Sequence, residues 1–503
     1  MVAKEVIDQP IINPKSLKQV ILNLLNAPTT LSTTLDALPV GNALDNAESF
    51  SLSSYVSPVG SDPVGIEPEN EILSPPSSCP TRARLVAKGF TQEYGIDYEE
   101  TFVLVARLTS IHILITIATA KGWKLFRMDV KNAFVNGDLT EEVYMQPPPG
   151  LEYPPNKVCH LKRPLYSLKQ VPRAWFPKFS TTINEFGFTS SPYDTALFIR
   201  KTNHGMVLLL LYVDDMIITR DDMSGIHDVK QFLSHKFEMK DLGVLSYFLG
   251  LEVTSSDDGY LFSQTKYASD LIFKAGLIDS KVAFTPFEPN VRLTPMDDID
   301  YVVHVVSQFM ATPRSTHYVA VLRIIRYIKG TIFHGLHFST HSSLELHAYF
   351  DADWVKDFND HKSVTGYCLF LGDSLISWHS KKQPVPSHSS TEAEYQALGD
   401  TISELLNLCW LLKDMGVPQP PATDLYYDNQ SAMQIAHNDI FHERTKHIKV
   451  DYHFVRHHVA QGIVHLVLIG SADQQADLFT KAHFHGRFHT LVSKLKLVSS
   501  QPP

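Results

Sequence analysis

Apolar and charged positions alternate along the chain in a way that marks out its elements. In "VLLLLYVDDMIIT", Val207 to Thr219, two short runs rich in Leu and β-branched residues are bounded by polar ones, predicting two strands joined by a tight turn with Asp214 and Asp215 at its tip. Upstream, "WKLFRMDVKNAFVNGDL", Trp123 to Leu139, reads as a strand ending near Asp129, followed by a turn into a helix starting near Asn132. Downstream, "LELHAYFDADW" alternates like a strand and carries Asp351, with Asp353 two residues on. The stretch "SSTEAEYQALGDTISELLNLCWLL" predicts a long helix with an apolar stripe through Tyr395, Leu398, Ile402, Leu405, Cys409 and Leu412. At ~100° per residue, Glu394 lies about 60° from the centre of that stripe and Glu392 about 100°, so Glu394 is better placed to face a sheet. A capping box, Thr391 with Glu394, competes for the same carboxylate. Asp428 ends the apolar stretch "DLYYD", and Asp477 opens the helix-like "QADLFTKA". Residues 1–81 differ: apart from a short helix in "SLKQVILNLLN" they are rich in Ser, Pro, Thr, Asn and Asp and lack sustained periodicity, so a mostly disordered segment is expected.

The carboxylates raise the chemical question. Two of them about 4 Å apart repel by roughly 4 kcal/mol at an effective dielectric near 20, so the Asp214–Asp215 pair needs water or cations around it. A solvated turn satisfies that need, because Asp is a common turn former. A third carboxylate at a strand end, Asp129, changes the balance. Three such groups beside one hairpin suit a two-metal nucleotidyl-transfer site with hard oxygen ligands for Mg²⁺.

At 503 residues and 44% hydrophobic content the chain is long enough for two or three ordinary globular domains. A net charge of −10 gives no overall attraction to nucleic acid, so any basic surface is local. It occurs in "KRPLYSLKQVPRAWFPK", where Lys162, Arg163, Lys169, Arg173 and Lys178 alternate with Tyr166, Trp175 and Phe176 and no acid intervenes. Phosphate neutralisation beside aromatic platforms is the chemistry of a template track, with a solvated helix face as the competing assignment. The four cysteines, Cys79, Cys159, Cys368 and Cys409, make no metal-ligand pattern and suit a reducing compartment. His453 and His457 share a helix face but lack a third ligand, which favours a structural helix over a zinc site. No apolar run reaches the ~18–20 residues of a membrane span, and no signal peptide is recognised, so a soluble intracellular protein is expected.

Together, "FRMDVKNAFVNGDLTEEVYMQPPPG", "RPLYSLKQVPRAWF", "LLLLYVDDMIIT" and "FEMKDLGVLSYFLGLEV" resemble the reverse transcriptase of copia-type long-terminal-repeat retrotransposons. "YFDADWVKD", "SVTGYCLFLGDSLISWHSKKQPVPSHSSTEAEYQAL", "LYYDNQSA" and "ERTKHIKVDYHFVR" resemble that family's ribonuclease H domain. The resemblance implies an α/β protein: the α+β fingers and palm of a polymerase over 82–262, a thumb and connection remnant over 263–343, and a ribonuclease H-like domain with a mixed sheet over 344–497. It implies an RNA-directed DNA polymerase with Asp129, Asp214 and Asp215 as metal ligands and Lys240 as the acid that protonates pyrophosphate. It further implies Arg84 and Lys88 on the incoming deoxynucleoside triphosphate, Phe134 as a steric gate against the 2′-hydroxyl, and "FLGLEV", Phe248 to Val253, as a primer grip. Asp351, Glu394, Asp428 and Asp477 match the four ribonuclease acids, which would hold two Mg²⁺ ions, or Mn²⁺ in their place. RNA template, DNA primer and RNA–DNA hybrid are the implied partners, and the cytoplasmic particle of the element or the nucleus the implied location.

Departures from the family pattern bear on activity. The strands that complete the fingers upstream of "RARLVAKGF" are replaced by the Ser/Pro-rich segment, Ser167 stands where the family has Gly, and Val171 where it has Ala. A helical segment is missing near Asp300, and no integrase, protease or capsid segment is seen. Ser resists backbone positions that Gly permits, so a distorted nucleotide pocket is expected. The chain therefore reads as a truncated or decayed copy of such a polymerase–ribonuclease, and the alternative is a non-catalytic relic that at most binds nucleic acid. Since these departures lie outside it, the region from about Leu344 is expected to fold alone.

Overall fold

The computed structural model describes residues 86–101, 105–139, 141–147, 154–155, 157–286, 303, 306, 314–354, 362–437, 449–481 and 483–499. Arg84, the segment 1–81 and the region around Asp300 lie outside the described residues. The mixture of helices and sheets is the α/β class expected.

A first sheet has six strands in the order β4-β5-β6-β7-β1-β8, every neighbour antiparallel. They are β1 (Leu125–Val130), β4 (Thr189–Ser190), β5 (Leu197–Thr202), β6 (Gly205–Tyr212), β7 (Asp215–Thr219) and β8 (Met239–Val244), with a small ribbon of β2 (Tyr144–Met145) and β3 (Cys159–His160) beside it in sequence. One face, with Met128, Leu209, Leu211 and Met216, packs with Trp175 and Phe179 of α2 (Val171–Glu185) and Val229 of α3 (Met223–Lys236). The other face, with Leu125, Leu208, Leu210 and Ile217, belongs to the core around α1 (Leu108–Ala120). Cover on both faces is why β6 reads as an unbroken leucine run instead of alternating.

A second sheet runs β18-β12-β11-β10-β9, from β9 (Tyr247–Phe248), β10 (Leu251–Ser256), β11 (Gly259–Ser263), β12 (His334–Ser339) and β18 (Leu497–Ser499). Helices α4 (Thr265–Lys274) and α5 (Ser315–Gly330) pack on each other through Leu271, Ile272, Ile324 and Ile328. The third sheet, β15-β14-β13-β16-β17, is mixed. Strand β13 (Leu346–Asp353) pairs antiparallel with β14 (Val364–Leu371), which pairs antiparallel with β15 (Ser374–Lys382). On its other side β13 is parallel to β16 (Thr423–Tyr427), which is parallel to β17 (Val464–Leu468). Helix α6 (Ser390–Asp414) lies across β13 and β14, with α7 (Gln430–His437), α8 (Lys449–Ala460) and α9 (His485–Lys494) completing the layer and the C-terminal end.

Helix α1, "LTSIHILITIATA", is apolar around its whole circumference, and every residue from Thr109 to Thr119 is buried. It packs against β11, β12 and β15, so one continuous core contains Leu114, Leu210, Phe338, Cys368, Leu398 and Leu425. Residues on both sides of position 344 contribute to it. No helix among the described residues is long and apolar enough to cross a membrane.

Candidate functional site

Strands β6 and β7 form the expected hairpin, closed by a two-residue turn of Val213 and Asp214 after the Tyr212–Asp215 pair. Val213 has φ 59°, in the left-handed region that β-branched residues rarely enter. The Trp175 indole N–H donates to its carbonyl at 2.6 Å and braces the turn from α2. Trp175 is 1% exposed, so it is core support for the hairpin and not the stacking platform expected from the basic stretch.

Asp129 and Asp215 are direct cross-strand partners, and the Val130 N–H donates to the Asp214 carbonyl at 2.9 Å. The two strand ends and the turn thus bring Asp129, Asp214 and Asp215 together, with Lys240 opposite Asp129 on β8. Burial pushes the Asp214 carboxyl up, and Asp129 adds to the shift. Burial also pushes Asp215 up, against the Arg127 guanidinium, whose Nε and Nη2 reach its two oxygens at 2.9 Å each. Arg127 lies two residues before Asp129 on one face of β1, a placement that sequence reasoning passed over.

After Asp129 the chain enters a short 3₁₀ turn, Ala133–Asn136, preceded by Asn132 at φ 56°, where a helix was expected. Phe134 is half-buried and meets Tyr166 edge-on at 6.2 Å. Lys88 is exposed, and beside it Gly89 lies so close to the Ser167 carbonyl that any Cβ would overlap that oxygen. Ser167 itself takes φ 75°, the backbone region that glycine favours. The basic stretch is partly committed elsewhere: Arg173 pairs with Glu100 at 3.1 Å, Lys178 with Asp138 at 2.9 Å, and Lys169 donates to the Gln92 carbonyl at 3.1 Å. Lys162 and Arg163 are exposed. In "FLGLEV", Leu249 (φ 52°) and Gly250 (φ 86°) turn β9 into β10.

The second acidic set sits on the third sheet. Asp351, on β13, is fully buried. Its partner across the sheet is Gly366, where a Cβ would meet Thr480 and Phe479, so glycine lets the 3₁₀ segment Gln475–Phe479 close over Asp351. At the start of α6, Ser389 is the N-cap: its hydroxyl accepts from the Glu392 N–H at 3.3 Å, and the Glu392 carboxylate accepts from the His388 N–H. The cap lies two residues earlier than the Thr391–Glu394 alternative, and Glu394 turns to the sheet.

Asp351, Glu394 and Asp428 each place one carboxylate oxygen within 4.8 Å of the others, the only such triplet among the described residues. Glu394 is 5% exposed, and its Oε2 has no hydrogen-bond partner. Burial, then the Asp351 charge, pushes Glu394 well above the usual carboxylate range. An orphaned buried oxygen among converging carboxylates fits a hard divalent cation. Asp428 accepts from the Ser471 hydroxyl at 2.7 Å. Asp477 is not part of the triplet: it is paired with Lys481 at 2.7 Å and Arg487 at 3.3 Å. Lys481 also reaches Asp351 Oδ1 at 2.8 Å, and Thr480 donates to the other Asp351 oxygen. The i,i+4 spacing of Asp477 and Lys481 is a legible ion-pair signal that sequence reasoning left unused. His453 and His457 lie on α8, and no metal grouping among the described residues includes them.

The family described as reverse transcriptase (RNA-dependent DNA polymerase) matches residues 76–289. The chain is 40% identical over 451 residues to a retrovirus-related Pol polyprotein from transposon RE1 of Arabidopsis thaliana, covering 84% of this chain and 31% of that protein. It is 31% identical over 314 residues to a putative transposon Ty5-1 protein of Saccharomyces cerevisiae, covering 55% of this chain and 100% of that one. The chain therefore spans 31% of the length of the RE1 polyprotein. Among solved structures, the foamy viral protease-reverse transcriptase in complex with double-stranded DNA is similar at 11% identity, covering 69% of this chain and 57% of that one with a TM-score of 0.39, too distant to bear on function.

Proposed function

The chain belongs to the reverse transcriptase family of copia-type retrotransposon Pol polyproteins, and we propose that its better-formed centre is a metal-dependent ribonuclease acting on the RNA strand of an RNA–DNA hybrid. The observation that carries this reading is the Asp351–Glu394–Asp428 triplet with its orphaned Glu394 oxygen. A divalent ion such as Mg²⁺ bound there would supply Lewis-acid activation of water and charge stabilisation of the leaving 3′-oxygen. The chain's own part is to hold and aim the carboxylates. Thr480 and Lys481 fix Asp351, Ser471 fixes Asp428, and the Gln474 amide, donating to the Phe350 carbonyl at 2.9 Å, pins the 3₁₀ segment to β13. Recognition of the RNA strand would rest on its 2′-hydroxyls.

For the first centre the proposal is template-directed DNA synthesis from deoxynucleoside triphosphates on a primed RNA template. Asp129 and Asp214 would hold metal, Lys240 would donate to the leaving group and Phe134 would exclude ribose. Lys88, Lys162 and Arg163 remain as exposed cations for phosphate. A second reading, a palm that binds nucleic acid without polymerising, is favoured by the bidentate Arg127 grip on Asp215 and by Ser167 at φ 75°. Hybrid cleavage and primer extension by the full chain, with Mg²⁺ present and then chelated, test both. Cleavage that stops on chelation and falls by at least ~10²-fold in Glu394→Gln is expected. Cleavage unchanged by that substitution would remove the ribonuclease reading, and efficient extension would remove the non-catalytic reading of the palm.

A further inference from the structure

The two halves of the ribonuclease acid set differ in what already occupies them. On one side, Asp351 and Asp477 share the Lys481 ammonium, at 2.8 and 2.7 Å, and Arg487 takes the other Asp477 oxygen at 3.3 Å. On the other, Glu394 Oε2 is buried without a partner, and one oxygen of the Glu394 carboxylate lies within 4.8 Å of oxygens of Asp351 and Asp428. With all four carboxylates ionised, as metal ligation requires, and two cationic side chains beside them, the formal charge is 4 − 2 = 2 negative, which one divalent ion neutralises. A second ion in the same buried space would meet a net positive surplus, and burying uncompensated charge is costly.

We propose that the Lys481 ammonium is a resident cation of this centre, seated between Asp351 and Asp477, so that the centre takes one divalent ion readily and a second only by displacing this side chain. The proposal rests on the ribonuclease reading above. Lys481 has a way out, because its side chain is 33% exposed while Asp351 and Asp477 are 0% and 8%. An ammonium is a compact point charge on a flexible stem, suited to leave and return. In this arrangement Lys481 is a positioning residue that fixes Asp351 in the absence of metal and sets how many ions the centre holds.

The test counts Mn²⁺ bound to the full chain without nucleic acid, by calorimetry and electron paramagnetic resonance, in the wild type and in Lys481→Gln, Lys481→Arg and Glu394→Gln. The ion lost in Glu394→Gln identifies this centre against binding elsewhere. The expected result is one such ion in the wild type and in Lys481→Arg, and two in Lys481→Gln, the second bound about tenfold more tightly than any second ion in the wild type. In chelator Lys481→Gln should melt below the wild type, with the gap closing as Mn²⁺ is added. Two Glu394-dependent ions already in the wild type, a single ion in Lys481→Gln, or failure of that variant to fold even with Mn²⁺ would overturn the proposal while leaving a metal centre in place. No Glu394-dependent ion in any variant would instead overturn the ribonuclease reading itself.

Discussion

Ser167 holds φ at 75° in an exposed position beneath Gly89, a backbone that costs a non-glycine residue roughly 1–2 kcal/mol. Nothing about the exposed side chain offsets that cost, and the larger conformational entropy of glycine in the unfolded chain cancels only part of the gain from relief. Ser167→Gly should therefore stabilise the protein by about 0.5–1 kcal/mol, read as a higher urea midpoint with an unchanged slope. A lower midpoint would mean that the serine is supported after all. Val213, at φ 59°, is a different case, because the Trp175 indole holds its carbonyl. Strain is kept there by a partner and lies next to the carboxylate it aims, the usual placing of strain at a functional turn.

At the scale of elements, α2 acts as a strut under the β6–β7 hairpin. Trp175→Phe keeps most of the apolar volume but removes the indole N–H together with part of the fused ring, so it should cost at least the roughly 1–3 kcal/mol of a carbonyl left without its donor. Any DNA synthesis should fall more than hybrid cleavage in the same variant, and equal loss of both would point to general unfolding. The hairpin, the strand carrying Asp351 and the long helix α6 were legible because short apolar runs, alternation and the 3.6-residue period are local, whereas the mixed sheet was implied only by the family resemblance. The stripe from Tyr395 to Leu412 is buried, with Cys409 at its edge. What was illegible depends on distant partners. Glu100 and Asp138 neutralise two cations of a stretch that contains no acid of its own, and Trp175 became a core residue because a turn 38 residues later needed its N–H. The helix cap slipped from Thr391 to Ser389 because both positions satisfy the same short motif.

Across the whole molecule, α1 joins the first sheet to the second and third. His112 is buried on α1, donates from Nδ1 to the Ile376 carbonyl at 3.0 Å and stacks on Trp378. Burial lowers its pKa from 6.5 to about 4. The folded protein thus keeps His112 neutral where the unfolded chain is protonated, so its contribution is intact above pH 6.5 and is lost as pH falls toward 4, by about 1.4 kcal/mol per unit. Between pH 6.5 and 5, His112→Gln should show a shallower fall in stability than the wild type, and parallel curves would show that His112 does not titrate in this window. The far end of α6 is tied to the same frame: Arg220 donates to the Met415 carbonyl at 2.8 Å, Ser191 to Asp414 at 2.7 Å, and Tyr193 stacks on Trp410. The expectation that residues from Leu344 fold alone must reckon with these ties, since separation would uncover Ile376 and Trp378 as well as the end of α6.

Burial of α1 also has a consequence for how the chain is made. His112 and the Ile376 carbonyl that accepts its hydrogen bond are 264 residues apart. At ~5–20 residues per second of synthesis, α1 waits roughly 13–53 s before the strand that covers it has been translated. During that interval the first sheet and β11 are already present, while the faces of α1 that β12 and β15 cover are still open to water. The strand that supplies the acceptor for His112 thus reaches it only after the whole of the first sheet has been made.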